Sequence, residues 1–242
     1  MSKEGPPWAS GPGEILKHGL DLLRKDTDTN RRLAMISIDN AVELMIKTYL
    51  GLPRRVTGLT IPRKEFQEIS ESFPLLLDSL EKHAAAKLSG IDLGEIEWYH
   101  RLRNQLYHQV NGLTVERDKI EIYAELANTL FENLFGHKLI RQPCGATELG
   151  EFMAAWVEFE HGLRDLASTH SLTGESRRGL IDTIHFVRSA GFLSPEEIRE
   201  TESLRKLRNE VVHGQVDFKA ALTPAVIEKV KDYANRFRAD VD

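Results

Sequence analysis

The chain has 242 residues, of which 41% are hydrophobic and 29% charged, and its formal net charge is −5. This length accommodates one large domain or two small ones, each with its own core. The acidic balance excludes a global basic field that would gather nucleic acid, so any RNA or DNA binding requires local basic patches.

The N-terminal segment and the cysteine content bear on the cellular compartment. Residues 1–13 are polar and rich in glycine and proline, and they are predicted to form a flexible tail rather than a signal peptide or anchor. No apolar run approaches the roughly 20 residues that span a bilayer, so no membrane partner is expected. Cys144 is the single cysteine. It excludes an internal disulfide and favours a reducing, cytoplasmic location.

The first half of the chain shows helical periodicity almost throughout. Apolar residues recurring every three to five positions predict a helix over 29–50, and Pro53 follows as a stop signal. A second helical stretch over 63–88 contains Pro74, which should kink or split it. Further helices are predicted over 93–109 and 115–135. Together they form a predicted first domain, residues 14–136.

A break in the periodicity over 137–146 predicts a linker, and a second domain over 147–242 follows it. Helices are predicted over 148–167 and 176–190. Ser194, Pro195 and Glu197 form the pattern of a capped helix start, and that helix is expected to end at Gly214. Thr223 precedes a last helix. Since runs of alternating β-branched residues are nearly absent, the predicted fold class is all-α, with two helical bundles in tandem.

One six-residue pattern, Arg-Asn-x-x-x-His, occurs twice, at 103–108 and at 208–213. A single match is expected by chance in roughly one chain in a hundred of this size, so a pair on equivalent predicted helices is a stronger signal. On a helix the asparagine and histidine share a face, and with the arginine they fill an arc of about 140°. The candidate site residues are Arg103, Asn104, His108, Arg208, Asn209 and His213.

Basic residues precede both motifs. Arg101 lies beside the first motif, and Arg205 and Lys206 lie beside the second, so these three are candidates for RNA binding. The alternative is that they belong to ordinary solvated helix faces.

Acidic residues on the preceding helices could support the motif arginines. Glu43 precedes the first motif and Glu160 the second, and a carboxylate there could hold the arginine in a bidentate pair. Alternatively, Glu43 pairs with Lys47 and Glu160 with Arg164 within their own helices. Both alternatives stay open at this point.

The motifs and their helices resemble a tandem of two HEPN domains, a family marked by an Arg-polar-x-x-x-His motif on a late helix of an all-α bundle. The first half carries the stronger likeness, through residues 38–44 and then Leu102, Arg103, Asn104 and His108. The second half rests on its own motif and the helix over 156–166. The likeness covers all but the N-terminal tail and the linker.

The resemblance implies a metal-independent endoribonuclease of the bacterial toxin or defence type. In this family two motifs face each other, either within one chain or across a homodimer. The histidine transfers protons, the arginine binds the scissile phosphate, and the polar residue positions them. Single-stranded RNA is the expected substrate, and the expected partners are a neutralising antitoxin or another defence-system protein. No cofactor and no metal are expected.

The chemistry of the motif residues is compatible with that role. Internal attack of an RNA 2′-hydroxyl requires removal of its proton and protonation of the leaving oxygen, and histidine suits both steps near neutral pH. An arginine counters the charge that develops on the phosphoryl oxygens. DNA lacks the attacking hydroxyl, which favours RNA as substrate.

Two other interpretations remain. The chain could be a non-catalytic HEPN-like scaffold that binds RNA or a protein, which the acidic net charge favours. The motif arginines and histidines could also satisfy buried acceptors within each bundle. His100 and His108, eight residues apart without a carboxylate beside them in sequence, are a poor metal site, and no P-loop or Rossmann glycine pattern is present.

Overall fold

The computed structural model describes the backbone of residues 6–108, 115–139, 147–170 and 180–239. Within these ranges, the side chains outside the description are those of Tyr107, His108, Thr147, His170, Leu180, Ile181, Asp182, His185 and Ala239. All regular structure in the described ranges is helical, so the predicted all-α fold class is confirmed. No described helix is both long and apolar enough to cross a membrane.

The chain divides into two compact units, Met1–Cys144 and Gly145–Asp242. The first contains α1 (Ser10–Lys25), α2 (Asp28–Gly51), α3 (Arg54–Thr57), α4 (Arg63–Ser70), α5 (Phe73–Ala84), α6 (Leu93–His108) and α7 (Arg117–Phe135). Short 3₁₀ turns lie at Pro7–Ala9 and Ala85–Lys87. The second unit contains α8 (Thr147–His170), α9 (Leu180–Ser189), α10 (Pro195–Val212), α11 (Phe218–Ala221) and α12 (Pro224–Ala239). The division falls within the segment predicted as a linker, of which residues 140–146 lie outside the description.

The helical structure begins earlier than the predicted flexible tail over 1–13 allows. α1 starts at Ser10, and residues 1–5 lie outside the description. The apolar face of α1, which includes Leu16 and Leu23, is buried. Gly13 belongs to the same packed surface, because a Cβ there would meet the Phe131 ring at 3.4 Å. Burial of this face stabilises a segment whose composition alone suggested a tail.

Local signals set several helix ends as predicted. The Ser194 hydroxyl accepts from the backbone N–H of Glu197 at 3.3 Å, and the Glu197 carboxylate accepts from the Ser194 N–H at 2.8 Å. This capping box begins α10 at Pro195. The predicted split at Pro74 is also observed, since α4 ends at Ser70 and α5 begins at Phe73.

In the first unit, α1, α2 and α7 pack on one another and α5 and α6 pack on α2. The turn between α1 and α2 is fixed by Asp26, which has a left-handed backbone (φ 51°). Its carboxylate accepts from Arg31 at 2.7 Å and pairs with Arg117 of α7 at 2.7 Å. Hydrogen bonds from these two arginines lower the pKa of Asp26. These contacts connect the turn between α1 and α2 to α7.

In the second unit, α8 and α12 form the central pair. Trp156 and Phe159 of α8 are fully buried, and Phe159 packs against Phe237 with ring centroids 5.6 Å apart. α10 is joined to α12 through Glu200, which accepts from the Lys229 ammonium and the Tyr233 hydroxyl, each at 2.6 Å. Side-chain hydrogen bonds therefore hold the second motif helix to the bundle.

Two glycines of α1 provide a matched test of this packing. A Cβ at Gly19 would lie 2.9 Å from Ile38 Cγ1 and 3.2 Å from the Ile38 backbone nitrogen, whereas a Cβ at Gly11 would meet nothing within 4 Å. We predict that Gly19→Ala lowers the free energy of unfolding by about 1–3 kcal/mol through overpacking. Gly11→Ala should be neutral or raise it by up to about 1 kcal/mol. Urea unfolding of both variants measures the difference, and equal stabilities would contradict close α1–α2 packing.

Candidate functional site

The site is built around one buried carboxylate, that of Asp39 in the middle of α2. Its side chain is completely inaccessible to solvent. It is surrounded along α2 by apolar residues that are equally buried, including Met35, Ile38 and Val42. A buried carboxylate is very costly unless it is paired and hydrogen-bonded, so its partners organise this region.

Arg103, the arginine of the first motif, is the main partner of Asp39. Its Nε donates to Asp39 Oδ2 at 2.6 Å, and its Nη2 lies 2.6 Å from the same oxygen. Its Nη1 donates to Asn104 Oδ1 at 3.0 Å. The Arg103 side chain is 14% exposed. The guanidinium is thus fixed by the carboxylate on one side and by the next motif residue on another.

His100 binds the same carboxylate from one turn earlier on α6. Its Nδ1 lies 3.0 Å from Asp39 Oδ2 and 3.3 Å from Oδ1. The imidazole stacks on the Phe73 ring of α5, with centroids 3.8 Å apart and planes 9° from parallel. One face of the imidazole is therefore covered by an aromatic ring, and one nitrogen is directed at the carboxylate.

Tyr123 of α7 completes the group. Its hydroxyl donates to Asp39 Oδ1 at 2.8 Å, and its ring stacks on that of Tyr99 at 4.5 Å. The pKa of Tyr123 is raised well above its usual range by burial and by the charge of Asp39, so the hydroxyl stays a donor. Burial alone would raise the pKa of Asp39, but the contacts with His100, Arg103 and Tyr123 outweigh burial and leave it lowered. The carboxylate is therefore ionised.

The carboxylate that holds Arg103 was not identified correctly from the sequence. Glu43, one turn further along α2, lies 3.7 Å from Arg103 Nη2, while its closer partner is Lys47 at 2.6 Å. The intrahelical pair predicted as the alternative is present, and Glu43 makes only a secondary contact with the arginine. Asp39 takes the primary role because it lies deeper, among apolar residues, where an unpaired charge would be most costly.

His108, the last residue of α6, has a side chain outside the described part of the structure. Asn104 is described and contacts Arg103. The first motif is therefore characterised through its arginine and asparagine. That the first motif faces a second motif, within the chain or across a homodimer, stays a prediction.

The second motif lies at the end of α10 in the other unit. Arg208 is buried at 4% exposure, and Asn209 and His213 are half-buried. His213 follows the helix, and its backbone N–H donates to the Asn209 carbonyl at 2.9 Å. Glu160 accepts from Trp156 Nε1 at 2.8 Å and from Arg164 at 3.1 Å. The intrahelical pair expected as one alternative for Glu160 is therefore present.

The residues predicted to bind RNA lie in different environments. Arg101 is exposed and pairs with Glu97 at 2.5 Å, and Lys206 lies 3.7 Å from Glu210. Arg205 is half-buried. Two of the three cations are thus partly neutralised by acids one turn away on their own helices, and their contribution to RNA binding stays a prediction.

His100 and Tyr123, like Asp39, were not among the predicted site residues. A usable signal was present for Asp39, since an acid flanked by apolar residues on a helix requires a buried partner. The contributions of His100 and Tyr123 depend on the packing of α6 and α7 against α2, which local sequence patterns do not specify.

The assembled group offers an oriented guanidinium and an oriented imidazole side by side on one ionised carboxylate. Such a pair can bind an anionic group and exchange a proton with it. Within the described residues, no group of three or more histidine, cysteine or acidic side chains is placed to hold a metal ion. No family model matches the chain, and no curated protein or solved structure matches it either.

Removing the charge of Asp39 should destabilise the first unit strongly. We predict that Asp39→Asn lowers the free energy of unfolding by about 3–5 kcal/mol, because it leaves Arg103 without its buried counter-charge. Tyr123→Phe should cost about 1.5–3 kcal/mol, the loss of one hydrogen bond to a charged group. Glu43→Gln is the matched control, and it should cost less than about 1 kcal/mol because Glu43 is partly exposed. Chemical unfolding measures all three, and an Asp39→Asn protein as stable as Glu43→Gln would refute this arrangement.

The contribution of the Asp39 carboxylate should also appear in how the stability of the protein changes at acidic pH. Because the pKa of Asp39 is lowered in the folded protein, its stabilising contribution is complete above the ordinary value of about 3.9. That contribution is lost as the pH falls through the lower folded-state pKa. The stability difference between wild type and Asp39→Asn should therefore be constant near neutrality and shrink in acid. Unfolding measured over a pH series tests this, and a difference that grows in acid would contradict it.

Proposed function

We propose that the protein is a metal-independent endoribonuclease whose site lies in the first unit, around Arg103. The observation that carries the proposal is the fixing of this motif arginine between the buried Asp39 carboxylate and Asn104. A guanidinium held in this way keeps its orientation before any ligand arrives, so little freedom is lost on binding a phosphate.

The proposed reaction is attack of an RNA 2′-hydroxyl on the adjacent phosphate. The new bond joins the 2′-oxygen to phosphorus, and the bond from phosphorus to the 5′-oxygen breaks. The products end in a 2′,3′-cyclic phosphate and a 5′-hydroxyl. Arg103 stabilises the charge on the phosphoryl oxygens, and Asn104 keeps its guanidinium in place. The motif histidine, His108, exchanges a proton with the reacting oxygens.

The second motif is proposed to assist through Arg208, Asn209 and His213. The likeness of the two motif sequences supports this role, as does the half-exposed position of His213 at the end of α10. Single-stranded RNA is the proposed substrate, and a toxin or defence setting with a neutralising partner is the proposed context. These proposals rest on the HEPN resemblance of the motifs.

A second candidate function is a HEPN-like scaffold that binds RNA or protein without cleaving it. The burial of Arg208 and the near-burial of Arg103 favour it. Arginines that serve mainly as counter-charges within a bundle stabilise the fold, and they need not contact a phosphate.

Incubating the protein with mixed single-stranded RNA in EDTA tests the proposal. We predict cleavage with 2′,3′-cyclic phosphate ends. His108→Ala should reduce the rate by about 10²–10⁴-fold, since it removes a proton-transfer group. His18→Ala is the control, because His18 is exposed on α1, and it should cleave at the wild-type rate. Product ends are read by mass spectrometry.

The same assay separates the two candidate functions. If the second motif contributes, His213→Ala should also slow cleavage. The variant is informative if it unfolds at the same denaturant concentration as the wild type. The scaffold function would instead be supported if the wild-type protein binds RNA without cleaving it. In that case His108→Ala and His213→Ala should bind RNA as tightly as the wild type.

A further inference from the structure

We infer that His100, three residues before the motif arginine, is the general base that removes the proton from the RNA 2′-hydroxyl. This inference rests on the proposed ribonuclease function and adds to it a catalytic residue outside the repeated motif. Asp39 would act as the positioning residue for His100 and for Arg103 together.

The His100 imidazole is held in one orientation. Nδ1 of His100 lies 3.0 Å from Asp39 Oδ2, and an ionised carboxylate can only accept, so the ring donates through Nδ1–H. A neutral imidazole with its proton on Nδ1 carries a lone pair on Nε2. Stacking on Phe73 at 3.8 Å prevents the ring from turning away. Carboxylate and aromatic ring together select one tautomer and one orientation.

The Asp39 cluster contains two carboxylates and two cations besides His100. His100 contacts the Asp39 carboxylate, which also binds Arg103 of α6 and Tyr123 of α7, and Glu43 of α2 lies 3.7 Å from Arg103. Arg103 and Lys47 already balance the two carboxylates, through the contacts of Arg103 with Asp39 and of Lys47 with Glu43. Tyr123 is a neutral donor. The two cations therefore offset both carboxylates without a contribution from His100. A general base requires the neutral form of the imidazole.

His100 and Arg103 are both partly accessible to solvent. The His100 side chain is 14% exposed, equal to that of Arg103. Its Nε2 has no hydrogen-bond partner among the described residues. A phosphate on the Arg103 guanidinium would lie beside this imidazole, because both groups contact the same Asp39 oxygen. The proposed base role requires the 2′-hydroxyl next to that phosphate to lie at hydrogen-bonding distance from Nε2.

In the proposed step, His100 Nε2 takes the 2′-hydroxyl proton while the 2′-oxygen bonds to phosphorus. The 5′-oxygen leaves with a proton from a separate acid, the role the proposed function gives to a motif histidine. His100 becomes an imidazolium, stabilised by the Asp39 carboxylate. It returns the proton to solvent after product release.

The variant His100→Asn tests the role, because the asparagine amide can still donate to Asp39 but cannot act as a base. We expect His100→Asn to cleave RNA about 10²–10⁴-fold more slowly than wild type and to lose the acidic limb of the pH–rate profile. His18→Asn is the control. Asp39→Asn should show a related loss, although its lower stability makes it a less direct test.

An activated substrate separates a base from an acid or a structural residue. Uridine 3′-(4-nitrophenyl phosphate) has a leaving group that needs no proton. A variant that lacks only the general acid therefore cleaves this ester at close to the wild-type rate. His100→Asn should stay slow on this ester by a similar factor. Recovery on the ester, or wild-type cleavage of RNA by His100→Asn, would overturn the base role while leaving the ribonuclease proposal intact.

Two further outcomes are distinguishable. If wild-type protein cleaves neither RNA nor the ester, the ribonuclease proposal fails and the base role fails with it. If His100→Asn does not fold, nitrogen-15 NMR of the wild-type imidazole decides instead. A proton on Nδ1 and a bare Nε2 support the inference, and a proton on Nε2 overturns it.

Discussion

The first unit depends on a single interaction, the solvation of the Asp39 carboxylate by protein groups in place of water. A carboxylate with no solvent exposure remains ionised only if donors surround it. Here α6 provides His100 and Arg103, and α7 provides Tyr123. These contacts require α6 and α7 to pack against α2 in one register, since a rotation of either helix would leave the carboxylate unpaired. Apolar burial could favour several packings, and the carboxylate selects among them.

The same constraint links stability to chemistry. A guanidinium and an imidazole that each bind Asp39 must lie next to each other, and each loses its rotational freedom during folding rather than during binding. The cost is that Arg103 gives part of its hydrogen-bonding capacity to the carboxylate. In the proposed reaction, the contribution of Arg103 to phosphate binding is therefore mainly its fixed orientation. Because Asp39 is buried beneath it, the ion pair of Arg103 and Asp39 lies in surroundings of low dielectric.

Helix periodicity and capping signals were sufficient to predict most helices, including the capping box at Ser194 and the split at Pro74. These features depend on residues within one turn of each other. The contact between Arg103 and Asn104 is equally local, because the two residues are adjacent in sequence. The contact between Asp39 and His100 spans 61 residues, and it arises from packing that no local pattern encodes. Glu43 was a reasonable choice from spacing alone, and only burial distinguishes it from Asp39.

A repeated motif does not imply a repeated environment. In the first unit the side chain of the motif arginine is 14% exposed, and its carboxylate partner comes from the middle of α2. In the second unit Arg208 is buried. Phe73 and His100 stack beside the first motif, and a histidine stands three residues before Arg103, whereas Arg205 stands three residues before Arg208. A histidine at that position precedes only the first motif, so the two motif helices differ chemically. Under the proposed mechanism, this difference assigns proton abstraction to the first unit, and Arg208 and His213 of the second motif take the assisting role proposed for them.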